Sequence, residues 1–234
     1  HAFAPTAVIA ARQVAFAQQL QTHLPKGVAP KSKGPVVFLD YDQEELDLAY
    51  DQPPWSPNKA KLSKRKAQKS AAVLAHLGPP RRLRYGPTAI EQLDLHATST
   101  QNAPIQVFIH GGAWRAGRAA DFAYQAEMFV DAGAHFIAVD FNNVLETNGN
   151  LMTMADQVRR AVAWVYQNAA SFSGDRNRLF VSGHSSGGHL AAVVLTTNWK
   201  KDFTLPMDVV KGGLCGSGMY DLYPVSLSAR SRYV

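Results

Sequence analysis

The clearest pattern of hydrophobic and polar positions lies between residues 151 and 169. Apolar residues recur there at spacings of 4, 3, 4 and 3, and basic and amide side chains occupy the opposite side. The apolar positions are Leu151, Ala155, Val158, Val162 and Val165. This period is that of an amphipathic helix, and the pattern predicts one from Leu151 to Ala169.

Shorter segments alternate with such helices along the rest of the chain. The predicted strands are Arg81–Tyr85, Ile90–His96, Ile105–Ile109, His135–Phe141, Arg178–Ser182 and Val209–Cys215. The other predicted helices are Lys59–Leu77, Ala119–Ala132 and Ser186–Leu195. Strands that alternate with helices predict an α/β domain with a mostly parallel sheet flanked by helices and led by an antiparallel hairpin.

The first quarter of the chain has a different character. Prolines punctuate residues 25–58, which predicts loops with one short helical turn at Leu46–Tyr50. We therefore expect an N-terminal arm and loop-rich segment over residues 1–58 and an α/β core over residues 59–234. The Ala-rich stretch from Ala2 to Ala17 is interrupted by Arg12 and has no basic segment before it, so a signal peptide is not predicted and the cytoplasm is the expected location.

Composition excludes several classes of protein. Hydrophobic residues make up 46% of the chain, which is too many for a disordered protein, and a single cysteine, Cys215, excludes an internal disulfide framework. No apolar run reaches the ~20 residues of a membrane span. No metal-ligand spacing or phosphate-binding loop is present, so neither a metal nor another cofactor is expected.

The formal net charge of +6 is concentrated in a basic stretch from Lys59 to Lys69 that contains no acidic residue. One interpretation is contact with a polyanion or an acidic partner, and the other is a solvated helix face. Nucleic-acid binding is not predicted, because no aromatic side chain interleaves with the basic ones. We expect a solvated face.

Two motifs suggest chemistry. Gly183-His-Ser-Ser-Gly187 follows a predicted strand and opens a predicted helix, which is the context of a nucleophile elbow with Ser185 at its tip. A helix that starts at Ser186 directs unpaired N–H groups at a negative charge near its N-terminus. The alternative is a purely structural strand-to-helix turn.

The second motif, His110-Gly-Gly-Ala-Trp114, directly follows another predicted strand. Small residues at this position let the backbone approach a substrate and donate N–H groups to an oxyanion. The alternative is an ordinary turn in which His110 and Trp114 pack for stability. The two motifs together favour an acyl-transfer site.

These motifs resemble the HGGxW branch of the α/β-hydrolase superfamily, and within it bacterial arylformamidase (kynurenine formamidase)-like esterases. Residues 46–51 and 217–225 add to the resemblance, which begins near Leu39. The resemblance implies Ser185 as nucleophile and an α/β-hydrolase fold. The implied oxyanion donors are the N–H groups of Gly111, Gly112, Ala113 and Ser186, and the implied substrate-binding side chains are His184 and Trp114.

Ala113 stands where lipase-type loops have a third glycine, and Ser186 stands where alanine is common. Both departures are mild because backbone N–H groups form the oxyanion hole. The triad is a larger departure, since the superfamily order is Ser, then Asp or Glu, then His. The only histidine after Ser185 is His189, one helical turn away, which we interpret as a wall residue. Asp221 is interpreted as a structural Asx contact.

We therefore expect the C-terminal strands, the triad acid and its histidine to lie beyond residue 234, in the same polypeptide or in a second chain. The leading hypothesis is a serine hydrolase of small esters or N-formyl amides that acts through an acyl-enzyme. A general carboxylesterase and a non-catalytic binding protein with this fold are the alternatives. The expected partner is a small-molecule substrate, with no nucleic acid and no membrane, and the oligomeric state cannot be predicted.

Overall fold

The computed structural model describes residues 33–229. Its strands are β1 (Val36–Phe38), β2 (Tyr41–Asp42), β3 (Arg81–Arg84), β4 (Gln92–His96), β5 (Ala103–Ile109), β6 (His135–Val139), β7 (Gly174–His184) and β8 (Gly212–Gly216). Its α-helices are α1 (Gln43–Tyr50), α2 (Gln52–Trp55), α3 (Lys59–Leu77), α4 (Ala126–Asp131), α5 (Leu151–Asn168), α6 (Ser186–Leu195), α7 (Trp199–Phe203) and α8 (Tyr223–Leu227). Two 3-10 helices span Ala119–Gln125 and Ala169–Phe172.

Over the described residues the chain divides into two compact units. Residues 33–59 and 227–229 form one unit, and residues 60–226 form the other. The expectation of loops before residue 58 is wrong in part, because β1, β2, α1 and α2 lie there. Asp42 explains where α1 begins: its carboxylate accepts from the Glu45 N–H at 2.9 Å, and Glu45 accepts from the Asp42 N–H at 3.0 Å. Residues 1–32 and the prediction for Ala2–Ala17 lie outside the described residues.

The larger unit is built on a six-stranded sheet in the order β3-β4-β6-β5-β7-β8. The pairs β3–β4 and β4–β6 are antiparallel, while β5 pairs in parallel with β6 and β7, and β7 with β8. The predicted mostly parallel sheet with an antiparallel hairpin at its start is confirmed. All five residues of β6 are buried, as expected for a strand covered on both faces.

Two groups of helices cover the sheet. Phe108 and Phe136 belong to one apolar cluster with Val73 of α3 and Ala126 of α4. The amphipathic helix α5 buries the predicted positions Val158, Val162 and Val165 and packs on α6, which in turn packs on β5, β7 and β8. No helix among residues 33–229 is long and apolar enough to cross a membrane.

Helix α3 begins and ends at the predicted residues. Residues Lys59–Lys69 are all exposed, whereas Ser70 and Val73 are buried. The helix predicted at Ala119–Ala132 is instead a 3-10 segment followed by α4. Strand β6 ends at Val139, two residues before the predicted end. Because β5, β6 and β7 are parallel, the segments that follow Ile109, Val139 and His184 leave the sheet at the same edge.

Candidate active site

Ser185 lies between the last residue of β7 and the first residue of α6, in a conformation that costs energy. Its φ of 59° and ψ of −128° fall outside the regions that residues with a side chain prefer. Its N–H donates to the Gly216 carbonyl at 2.8 Å, and its carbonyl accepts from the Gly188 N–H at 2.8 Å. The end of β8 and the first turn of α6 thus hold the predicted nucleophile elbow in place.

The two glycines of the elbow motif are required by close backbone contacts. A Cβ on Gly183 would lie 2.0 Å from the Gly187 carbonyl oxygen, and a Cβ on Gly187 would lie 2.1 Å from the Ile109 carbonyl oxygen. Neither distance is compatible with a side chain, because the atom met is backbone. The motif therefore permits β5, β7 and α6 to approach each other directly beside Ser185.

The segment after β5 lies against the elbow. A Cβ on Gly111 would come within 2.4 Å of the His184 carbonyl oxygen and 3.1 Å of Ser185 Cβ. Gly112 has a φ of 133°, and Ala113 and Trp114 both have left-handed φ values, 55° and 57°. The chain thus turns sharply directly beside the serine side chain.

The structure brings several N–H groups to this turn. Those of Gly112 and Ala113 form no hydrogen bond within the described part of the chain. Ser186 is the first residue of α6, so its N–H has no acceptor within the helix. Ser185 Oγ, next to this turn, likewise forms no hydrogen bond with any of residues 33–229.

Trp114 stabilises this loop through three hydrogen bonds and its buried side chain. Its indole is buried, with 2% of the residue exposed, and its Nε1–H donates to His189 Nδ1 at 3.2 Å. Its backbone N–H donates to Ser186 Oγ at 3.1 Å, and its carbonyl accepts from the Val144 N–H at 2.8 Å. The sequence did not predict that the Ser186 hydroxyl supports this loop. The available signal was the serine itself, which stands where alanine is common.

The three neighbouring histidines have different environments. His110 is buried and stacks with the rings of Phe141 and Phe122, with centroid distances of 4.3 and 5.7 Å, so it has the packing role that the alternative interpretation of this motif gave it. Burial lowers the pKa of His110 and also that of half-buried His189. His184 is exposed at the surface of the site.

Two other predictions near β8 can be compared with the structure. Asp221 accepts from the Tyr223 N–H at 2.9 Å, which confirms the Asx contact. Cys215 lies in β8, where a strand was predicted over Val209–Cys215. It is half-buried, and this partial burial raises the pKa of the thiol. Within residues 33–229, no three His, Cys, Asp or Glu side chains are grouped in a way that could hold a metal ion.

Asp140 is a second residue whose support of this region the sequence did not predict, because the sequence pattern places it only in the strand His135–Phe141. Its buried carboxylate accepts from the Ala119 N–H at 2.7 Å and from Arg82, which also donates to Asp94 at 2.7 Å. The carboxylate therefore fixes the start of the 3-10 segment that follows the His110–Trp114 turn. Nothing in the spacing of the sequence signals this contact.

Comparison with known proteins agrees with this geometry. The pattern of the BD-FAE family matches residues 92–212, which is just over half of the chain and extends from β4 to β8. The chain belongs to the BD-FAE family of α/β-hydrolases. The predicted resemblance to this superfamily is thereby confirmed.

Individual relatives of this BD-FAE chain include the kynurenine formamidase of Danio rerio, 32% identical over 194 residues. That match covers 78% of the chain and 62% of the relative, so the chain spans less than two thirds of the length of the curated protein. A crystal structure from Silicibacter sp. TM1040 shares the fold, with a TM-score of 0.67 at 24% identity over 79% of this chain and 68% of that one. The thermophilic esterase Est2 of Thermogutta terrifontis has a TM-score of 0.51 at 25% identity over 59% of this chain and 54% of its own.

Proposed function

We propose that this protein is a serine hydrolase of small carboxylic esters or N-formyl amides, with Ser185 as the nucleophile. The observation that carries the proposal is the strained Ser185 at a strand-to-helix turn, with the Gly111–Trp114 segment packed against it. The membership in a hydrolase family and the similarity to a kynurenine formamidase and an esterase support it.

In this mechanism Ser185 Oγ attacks the carbonyl carbon of the substrate and forms a tetrahedral intermediate. The intermediate's oxyanion accepts hydrogen bonds from the N–H groups of Gly112, Ala113 and Ser186, with Gly111 as a fourth candidate donor. Collapse of the intermediate, with the proton taken from Ser185 Oγ passed on to the leaving group, releases an alcohol or amine and leaves an acyl-enzyme, which water then hydrolyses. Such donors act without reorganisation because the loop already has its shape.

The proton of Ser185 must pass to a general base. No side chain among residues 33–229 is hydrogen-bonded to Ser185 Oγ, so the proposal assigns no base within them. His110 is excluded from this role because it is buried and stacked between two aromatic rings. His189 is committed by its Nδ1 to the indole of Trp114.

The side chains around Ser185 differ in whether they can contact a substrate. His184 is exposed beside Ser185, and we assign it to contact with substrate. Trp114 was expected to share that role, but with 2% of its surface exposed we assign it to the support of the loop. A general carboxylesterase and a non-catalytic binding protein are the competing functions.

The test is the Ser185→Ala variant, assayed with p-nitrophenyl acetate and with a fluorophosphonate label. We expect turnover to fall by ~10⁴-fold or more, because a catalytic serine contributes on this scale, and labelling to disappear. Ser70→Ala is the matched control, since Ser70 is buried and its Oγ accepts from the Tyr124 N–H at 3.2 Å outside the site. A wild-type protein that neither turns over nor labels would instead support the non-catalytic alternative.

Comparison of kcat/KM for p-nitrophenyl acetate and an N-formyl arylamine separates the two enzymatic functions. A formamidase is expected to prefer the formyl amide. Hydrolysis of the ester alone would favour the general carboxylesterase.

A further inference from the structure

We propose that the side chains of Ser186 and His189 are positioning residues that hold Trp114, and through it the oxyanion-binding loop, in register with Ser185. The inference rests on the proposed function and adds to it a role for side chains, where the proposed oxyanion donors are all backbone groups. Four consecutive residues, Gly111 to Trp114, make up the loop in question.

The loop has a conformation that needs support. Ala113 and Trp114 are consecutive residues with side chains, and both have left-handed φ values. Each such residue costs on the order of 1 kcal/mol or more, so the pair persists only where its surroundings enforce it. Gly112 adds a φ of 133°, which only glycine adopts readily.

The Ser186 hydroxyl provides the first contact that enforces this conformation. Ser186 is 2% exposed and its Oγ accepts from the backbone N–H of Trp114 at 3.1 Å. The neighbouring residue is Ser185, so this hydrogen bond joins the loop directly to the elbow. Alanine at position 186 would leave the buried Trp114 N–H without this acceptor while keeping the backbone N–H of residue 186.

His189 provides the second contact, one helical turn further along α6. Its Nδ1 accepts from the indole Nε1–H of Trp114 at 3.2 Å, and the two rings meet edge to face at 5.5 Å. An indole nitrogen is only a donor, so this bond requires a neutral imidazole with its proton on Nε2. Burial lowers the pKa of His189 and favours that neutral form.

The two contacts reach Trp114 from Ser186 and His189, which both lie in the first turn of α6 directly after Ser185. Both the backbone and the indole of Trp114 are therefore held at a fixed position relative to Ser185. The N–H groups of Gly112 and Ala113 precede Trp114 in the same loop, so their positions depend on these contacts. Loss of either contact should displace donors that act on the transition state more than on the bound substrate, which lowers kcat and spares KM.

The test compares Ser186→Ala with Ser70→Ala, a control that deletes the same kind of buried serine-to-backbone hydrogen bond outside the site. We expect Ser186→Ala to lower kcat for p-nitrophenyl acetate by about tenfold with KM within twofold, and Ser70→Ala to leave both unchanged. Both variants should lose similar thermal stability. A purely structural role for Ser186 would change the melting temperature and leave kcat as it is.

His189→Phe removes the acceptor, whereas His189→Asn keeps an oxygen near the position of Nδ1. We expect kcat to fall in the first variant and to be largely restored in the second. Equal kcat in the two variants would overturn the role of His189.

Hydrogen exchange of residues 110–116, measured by mass spectrometry, gives a readout that does not depend on turnover. Exchange should be faster in Ser186→Ala than in wild type or Ser70→Ala. If Ser185→Ala is inactive but Ser186→Ala has normal kcat and normal exchange, the positioning role is wrong and the proposed function stands. If Ser185→Ala is fully active, the proposed function fails, and unchanged exchange in Ser186→Ala overturns the positioning contact separately.

Discussion

Single atoms decide the packing around Ser185. Gly187→Ala would place a methyl group 2.1 Å from the Ile109 carbonyl oxygen, so backbone must move, and we expect a loss of ~1–3 kcal/mol or more in the free energy of unfolding. Gly212→Ala is the matched control, because its Cβ would meet only the Phe180 ring at 3.6 Å. Urea denaturation of both variants measures the difference. Similar stability of the two would contradict the close contact in the elbow.

Gly112 provides a second prediction for a single residue. Its φ of 133° is unfavourable for any side chain, and an added Cβ would lie 2.0 Å from the Ala116 carbonyl oxygen. Gly112→Val should therefore distort the loop and lower ester turnover at least 10²-fold, since one lost oxyanion donor costs ~2.7–4 kcal/mol in a known case. Steady-state kinetics checks this. Near-normal kcat would show that the segment is only a turn.

At this scale, some roles could be read from the sequence and others could not. Ser185, Gly183 and Gly187 follow from a motif whose spacing is itself a steric requirement, as the 2.0 Å approach to the Gly187 carbonyl shows. The hydroxyl of Ser186 and the carboxylate of Asp140 act through contacts with residues 72 and 21 positions away. No local pattern encodes such contacts.

The basic helix α3 permits a prediction about a whole element. Its lysines are exposed, and Lys66 Nζ lies 5.8 Å from the centre of the Tyr124 ring. Simultaneous replacement of Lys61, Lys64 and Lys66 by Gln should change the free energy of unfolding by less than ~1 kcal/mol. Turnover of a neutral ester should be unchanged. A large loss of either, measured by denaturation and kinetics, would indicate a partner for this face.

Elements with a sustained period were predicted best. Helices α3 and α6 begin and end at the predicted residues, and α5 ends one residue earlier. The segment Ala119–Gln125 was predicted as α-helix because its composition suits one, but its start is fixed by a distant carboxylate and it forms a 3-10 helix. Helices α7 and α8 are too short to show a period and were not predicted.

At the scale of the whole fold, burial lowers the pKa values of four histidines among residues 33–229: His96, His110, His135 and His189. In the unfolded chain these side chains bind protons near pH 6.5, while the folded state resists protonation. Their contribution to stability is thus complete above pH 6.5 and is lost as the pH falls through the lower, folded-state values.

We therefore expect the free energy of unfolding to fall between pH 7.5 and pH 5, by up to ~1.4 kcal/mol per pH unit for each histidine that titrates. Urea denaturation across this range measures the slope. His110→Phe should reduce it, because the stacked ring is kept and the titrating group removed. A stability that is constant over this range would contradict the burial of these side chains.

The kind of atom that an added methyl group meets also has a genetic consequence. At Gly183 and Gly187 the obstacle is a carbonyl oxygen of the main chain, so no second substitution can remove it, and a suppressor screen of either alanine mutant should return true revertants. At Gly174 the obstacle is the side chains of Phe172 and Ile105, at 2.7 and 2.8 Å. Phe172→Leu and Ile105→Val delete the two nearest of these atoms, so second-site suppressors of Gly174→Ala should map to positions 172 and 105. A substitution at Gly174, where β7 begins, can therefore be compensated by a second substitution, whereas a substitution at Gly183 or Gly187 cannot.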